Sequence, residues 1–266
     1  MFVNACYKFL NYLKTVKNAS EHTVRNYAAD LNSFKAFIEQ EHFKEVKPEQ
    51  LLPKIRHDSL NHKTLPDLIP LTILDRPLIR SYLAYLNKLQ SNKKTIVRRL
   101  SAIRSFCKFA FSENLLPENP AELLETPKIE KKIPAPLTLD QIELLFQQPD
   151  TQTLLGFRDR AIMELFYSSG LRISEVIALN RNDFYLHDLT IKVKGKGKKE
   201  RLIPITKGAA HWINQYLNHP ERHLASDGHL AQEDPHAIFL NRFGTRLNVR
   251  SIDRNFDRYM KQTDRE

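Results

Sequence analysis

Residues 156–176, GFRDRAIMELFYSSGLRISEV, decide the fold. The apolar spacing predicts a helix that Gly170 ends, because glycine accepts a left-handed C-terminal cap at little cost. Arg172 then opens a second helix, with Ile173, Val176, Ile177 and Leu179 inward. An arginine in so tight a junction is held rigidly at a helix N-terminus, where dipole and guanidinium favour the same anion. Downstream, LTIKVKGKGKKERLIPI (189–205) alternates around a Gly-Lys-Gly turn and predicts a β-hairpin. Its tip carries lysines on glycine-flexible backbone, so an amine can reach an adjacent site. Taken singly, the arginine reads as a helix-entry salt bridge and the lysines as a solvated turn. Around this pair, Thr138 precedes one helix, and AAHWINQYL and VRSIDRNFDRYMKQ predict two more.

Upstream lies a different kind of sequence. Residues 114–136 hold prolines at 117, 120, 127, 134 and 136 and no aromatic, which predicts a semi-rigid, extended linker. Before it the chain reads as helices. Ser20 caps one with Val24, Tyr27, Ala28, Leu31, Phe34 and Ile38 inward. Asp75 and Pro77 start another, burying Leu78, Ile79, Tyr82, Leu83, Leu86 and Leu89. Between them, residues 44–74 predict a long loop with at most one short helix. From Lys93 to Phe111, Ile96, Leu100, Ile103, Phe106, Cys107 and Ala110 share one helix face. Lys94, Arg98, Ser101, Ser105 and Lys108 fall on the other. No acid lies between Asp75 and Glu113, so this stripe has no local counter-charge. That pattern suits phosphates, with hydroxyls as neutral donors between cations.

Composition agrees. A chain of 266 residues points to two domains, and 41% hydrophobic with 27% charged residues excludes a disordered one. No apolar run reaches bilayer length, and the start lacks the layout of a signal peptide, so an intracellular, cytoplasmic protein is expected. Two cysteines exclude a disulfide scaffold and a four-cysteine zinc site. GxxxxGK[ST], GxGxxG and HExxH are absent, and the ten histidines show no zinc spacing, so neither cofactor nor metal is expected. Nor is a membrane or a small-molecule substrate expected as partner. Residues 1–116 carry 19 basic and 10 acidic side chains, whereas residues 134–266 carry 19 and 17. The surplus therefore sits in the N-terminal part, where a polyanion is the natural partner.

Together, the arginine junction and the lysine hairpin resemble the tyrosine recombinases (phage-integrase-like), of the Xer type and within it the chlamydial kind. ELFYSSGLRISEV matches the family's first-arginine motif, GKGKKERLIPI its lysine hairpin, and the 24-residue spacing from Arg172 to Lys196 agrees. HTVRNYAADLNSF and TIVRRLSAIRSFCKFA extend the likeness into the N-terminal part. The resemblance implies a mainly α, two-domain fold. A helical core-binding (SAM-like) domain would span 1–113, a linker 114–136, and an α+β catalytic domain with a small β-hairpin or sheet 137–266. It implies a clamp on double-stranded DNA, working with a second recombinase subunit in a tetramer near the nucleoid. It further implies site-specific recombination through a 3′-phosphotyrosine, serving chromosome dimer resolution at cell division. Arg172 would neutralise the non-bridging oxygens and Lys196 protonate the departing 5′-oxygen. Lys194, Lys198 and Lys199 would touch the DNA backbone, and Glu175 would support Arg172.

One departure matters. The family's HxLRH segment and its GH…TT…YT nucleophile segment are absent from these 266 residues. His219-Pro-Glu-Arg222 lies only 23 residues beyond Lys196, in a His- and Pro-rich loop, and substituting Arg222 is expected to leave DNA binding unchanged. Tyr216 and Tyr259 fall inside predicted helices. The expectation is a C-terminally truncated recombinase without a nucleophile, with an inactive DNA-binding remnant as the alternative. A helical protein-interaction domain fits the paired motifs poorly.

Overall fold

The computed structural model describes residues 1–46, 54–58, 68–130, 135–195, 199–222 and 234–263. The chain divides into two compact units, Met1–Ile133 and Pro134–Glu266. The described residues are mostly helical, with one small antiparallel sheet among them, in the second unit. No described helix is long and apolar enough to cross a membrane.

Unit 1 is built from α1 (Phe2–Thr15), α2 (Glu21–His42), α3 (Arg76–Lys88) and α4 (Lys93–Ser112). The Ser20 hydroxyl accepts from Thr23 N and the Asp75 carboxylate from Leu78 N, so both expected caps are made. Phe2, Phe9, Phe34 and Phe106 meet edge to face at the centre. α1, which sequence reading tested only as a signal peptide, buries eight side chains there. All six apolar positions expected on α4 are buried, among them the free Cys107, whose thiol burial pushes up to about 12. Cys6 is likewise in no disulfide and fully buried.

Two expectations in this unit change. Leu89 follows the last residue of α3 and is exposed, since the helix ends one residue before it could turn inward. The proline-rich stretch is turned rather than extended over its first half, and it buries Leu116, Ala121 and Leu124 in the core of unit 1. Arg104 of α4 holds it there through the Leu124 carbonyl and the Thr126 hydroxyl. Of the 44–74 loop, Leu71–Ile73 forms a short 3-10 turn. Asn32 fixes Ile55 by accepting its N–H at 2.7 Å and donating to its carbonyl at 2.8 Å.

Unit 2 holds α5 (Leu139–Gln147), α6 (Leu154–Ser169), α7 (Ile173–Ala178), α8 (Lys207–Leu217) and α9 (Val249–Thr263). Its sheet runs β1 (Phe184–Tyr185), β2 (Thr190–Lys194), β3 (Glu200–Pro204) in that order. The hairpin is as expected; the two-residue β1 is too short to leave a periodic signal. Gly170 sits at φ 60° after α6, where the sequence requires it. A buried network ties α9 down. Asp159 of α6 accepts from Arg158 on one oxygen, and from Asn255 and the Tyr259 hydroxyl on the other. Arg160 lies between the Phe146 and Trp212 rings, 4.7 and 4.8 Å from their centroids, joining α5, α6 and α8.

Replacing Phe106 by alanine removes a ring that touches both Phe2 and Phe9, and it should destabilise unit 1 by about 3–5 kcal/mol. Leu89→Ala should change stability by no more than about 0.5 kcal/mol, as for surface positions generally. Denaturant midpoints of the two variants check both.

Candidate functional site

Two surfaces collect the expected side chains, one in each unit. In unit 1 it is the outer face of α4. Lys94, Arg98, Ser101 and Lys108 are exposed there and Ser105 is half-buried, because the opposite face is packed into the core. Lys94 sits in the first turn, its N–H received by the Asn92 cap. The stripe is not free of counter-charge. Arg98 is ion-paired with Asp30, a buried carboxylate on α2. Burial pushes the Asp30 carboxyl up, against the pull of Arg98 and Arg99. The two hydroxyls also have partners: Ser101 donates to the Val97 carbonyl and Ser105 to that of Ser101. Tyr27 donates to the Ser105 oxygen at 3.3 Å. They line the face as acceptors, their protons already engaged by the helix. Lys94 and Lys108 remain its exposed cations beside the paired Arg98.

In unit 2 the site is the junction between α6 and α7. Arg172 is the N-cap of α7. Its backbone N–H donates to Glu175 Oε2 at 2.9 Å, half of a capping box, and its side chain donates to Oε1 at 3.2 Å. That side chain is still 77% exposed, while Glu175 is 7% exposed. α7 has only six residues, so the guanidinium rather than a helix dipole makes this spot cationic. Sequence reading assigned Glu175 a supporting role and missed its second partner. Arg201 of β3 donates from Nη2 to Oε1 at 3.0 Å and to Oε2 at 3.1 Å. Burial alone would raise the Glu175 carboxyl. The Arg172 N–H and the two guanidiniums overcome that and hold it below the usual carboxylate range. Glu175 thereby joins the arginine junction to the strand that follows the hairpin tip.

The hairpin lysines divide. Lys194 sits opposite Glu200 in the ladder and pairs with it at 3.5 Å, so its charge is met across the hairpin. Lys199 is exposed. Lys196 and Lys198 lie outside the described residues. Among the described residues, no group of three His, Cys, Asp or Glu side chains could hold a metal ion.

Arg222 corrects the sequence reading. Its side chain is buried, donates to the Ala237 carbonyl and lies over the Tyr216 ring, so it belongs to the core and not to a solvated loop. An acidic substitution there would strand a charge in the interior, which removes Arg222 as a harmless control. Tyr216 is buried, and its hydroxyl oxygen accepts from Leu240 N. Tyr259 is buried too; burial and the neighbouring Asp159 push its phenol up to about 12.

Comparison with known proteins gives a consistent answer. Residues 136–266 match the phage integrase family, and residues 7–65 and 60–114 match the phage integrase N-terminal SAM-like domain. The chain is 45% identical to tyrosine recombinase XerC of Chlamydia caviae over 262 residues, covering 98% of this chain and 80% of that one. It is 33% identical to XerC of Syntrophus aciditrophicus, covering 96% and 76%. Among solved structures, it aligns with a lambda integrase tetramer bound to a Holliday junction at TM-score 0.65, with 16% identity and coverage of 97% and 65%. A XerH recombinase post-cleavage complex on a palindromic difH substrate aligns at 0.62, with 18% identity and coverage of 97% and 68%. At those identities the structural matches speak to fold.

The depressed Glu175 carboxyl has a measurable sign. A carboxylate held lower in the folded than in the unfolded chain stabilises the fold above its unfolded pKa, and loses that contribution as pH falls through its folded value. Glu175→Gln should therefore lower thermal stability at neutral pH. Its deficit against the parent should shrink as pH falls below about 4.3. A deficit that stays constant down to acid pH would show that Glu175 is held by packing and not by charge.

Proposed function

The chain belongs to the phage integrase family, as a XerC-like tyrosine recombinase, and from that premise we propose that it acts in site-specific DNA recombination. Unit 1 would hold duplex DNA through the α4 face, and unit 2 would present Arg172 to the scissile phosphate. The observation that carries the reading is Arg172 itself, anchored by Glu175 yet largely open to solvent. In the transfer a tyrosine oxygen bonds to phosphorus as the bond to the 5′-oxygen breaks, and charge grows on the non-bridging oxygens. A guanidinium already placed at the entry of α7 stands beside that charge as it develops. Lys196 is the proposed proton donor to the leaving oxygen, with Lys199 and Lys198 on the backbone beside it. The cellular role we propose is resolution of chromosome dimers at cell division, in the cytoplasm at the nucleoid, with a second recombinase subunit on the same DNA.

We further propose that these 266 residues do not form the covalent link alone. A nucleophile must stand in line with the leaving oxygen, within about 3–3.5 Å of phosphorus. Tyr216 is enclosed by Arg222 and Phe239, and the Tyr259 phenol is spent on Asp159. Both are costly to ionise or move. Tyr167 of α6 and Tyr185 of β1 are exposed, so the proposal of DNA holding without strand cleavage has to be tested at them as well.

The purified chain should bind duplex DNA with log affinity falling linearly against log salt concentration. Lys94→Glu and Lys108→Glu should each weaken binding to all sequences alike and lower the salt slope by about 1. Arg98 is a poor test, because a glutamate there would face buried Asp30. Incubation with a nicked duplex should give no protein–DNA band after denaturation. A band that vanished with Tyr167→Phe, Tyr185→Phe, Tyr216→Phe or Tyr259→Phe would identify a working nucleophile and end the second proposal. Unchanged salt slopes in both lysine variants would end the assignment of the α4 face to DNA.

A further inference from the structure

β3 breaks the alternation of its own sheet. Cross-strand partners share a face, and Ile191 pairs with Ile203 while Val193 pairs with Arg201. Ile191 and Val193 are buried, so Arg201 springs from the core side of the hairpin. Leu202, on the opposite face, is 64% exposed. Ile203 and Ile205 on the core side fix that register. The arginine is thus carried to the inner face at the one position where burial by itself would favour leucine over it, and its side chain ends 43% exposed. Something on the core side holds the arginine, and the structure shows what. The Arg201 guanidinium reaches both oxygens of Glu175. Gly195 makes room for it, since a Cβ there would lie 3.0 Å from Arg201 Nη1.

Glu175 thus stands between two guanidiniums that it does not hold equally. Arg201 bonds to both carboxylate oxygens, whereas the Arg172 side chain makes one bond at 3.2 Å, the long end of the normal range. A buried carboxylate left with a single guanidinium would grip it, because an unpaired charge at that depth is costly. With two, the cluster carries a net positive charge and one partner can leave. We infer that Arg201 is a positioning residue for Arg172: from the hairpin it satisfies Glu175, and so frees the Arg172 guanidinium to exchange that carboxylate for a phosphate oxygen. The inference rests on reading Arg172 as the phosphate-binding residue.

The test follows the Arg172 Nε–Hε resonance by NMR while inorganic phosphate is added, with amide spectra reporting the fold of each variant. In the parent the resonance should shift in a saturable way. Arg201→Met should weaken the apparent phosphate affinity at Arg172 by about tenfold, the scale of one hydrogen bond to a charged group. Arg201→Lys should recover part of that loss. The deciding variant adds Glu175→Gln to Arg201→Met. Without a carboxylate nothing grips Arg172, so affinity should return toward the parent value, whereas a merely structural Arg201 would leave the double variant as weak or weaker. Parent-like affinity in Arg201→Met, or no recovery in the double variant, overturns the inference while leaving Arg172 as the phosphate ligand. A parent resonance that ignores phosphate overturns the reading of Arg172 and the inference with it. If Arg201→Met does not fold, Arg201→Gln with and without Glu175→Gln gives the same comparison.

Discussion

A carboxylate taken out of water must be met by a cation, and among the described residues three of the buried carboxylates are met by arginine. Asp30 is answered by Arg98, Asp159 by Arg158, and Glu175 by Arg172 and Arg201. Each pairing serves as a joint as well as a neutralisation. The first ties α2 to the exposed face of α4. The second, extended through Asn255 and Tyr259, ties α6 to α9. The third ties the entry of α7 to a β-strand. Breaking such a pair by removing one partner leaves the other uncompensated at depth, so the joints resist sliding in a way that apolar contacts do not.

That arrangement explains how much of the fold is legible in the sequence. Local chemistry was legible: the Ser20, Asp75 and Thr138 caps, the left-handed Gly170, the buried side of α4 and the hairpin all follow from residues within a few positions of one another. The α1 helix was equally legible, with Phe2, Cys6, Phe9, Leu10 and Leu13 at helical spacing, but reading it only for a leader hid the pattern. Non-local pairings were not legible. Asp30 and Arg98 are 68 residues apart, and Glu175 and Arg201 are 26 apart. An acid-free run of sequence is therefore not an acid-free surface, because the neighbouring helix supplies the missing sign. Proline content likewise describes stiffness and says nothing of burial, which is why the stretch after α4 folds back where an extended linker was expected. One signal for Arg201 was present all the same: in KERLIP an arginine occupies the parity of the inward isoleucine.

The two surfaces differ in how their charge is set. On α4 the buried partner subtracts from the stripe, leaving Lys94 and Lys108 beside a restrained Arg98. At the α6–α7 junction the buried partner is itself doubly opposed, so a net positive charge remains and Arg172 is placed by one long bond without being locked. The first arrangement suits general attraction to a polyanion, and the second suits meeting one phosphate in one place.

The two cysteines have a practical consequence. Cys6 and Cys107 are both sealed in the aromatic centre of unit 1, and the Cys107 thiol resists ionisation at neutral pH. Thiolate is the form that reacts with alkylating reagents, so the folded chain presents them with almost nothing. A cysteine introduced at a surface position would then be a single address for a fluorophore or a cross-linker, with no native thiol to remove first. The native pair would meanwhile act as a clock, taking up reagent only when unit 1 opens.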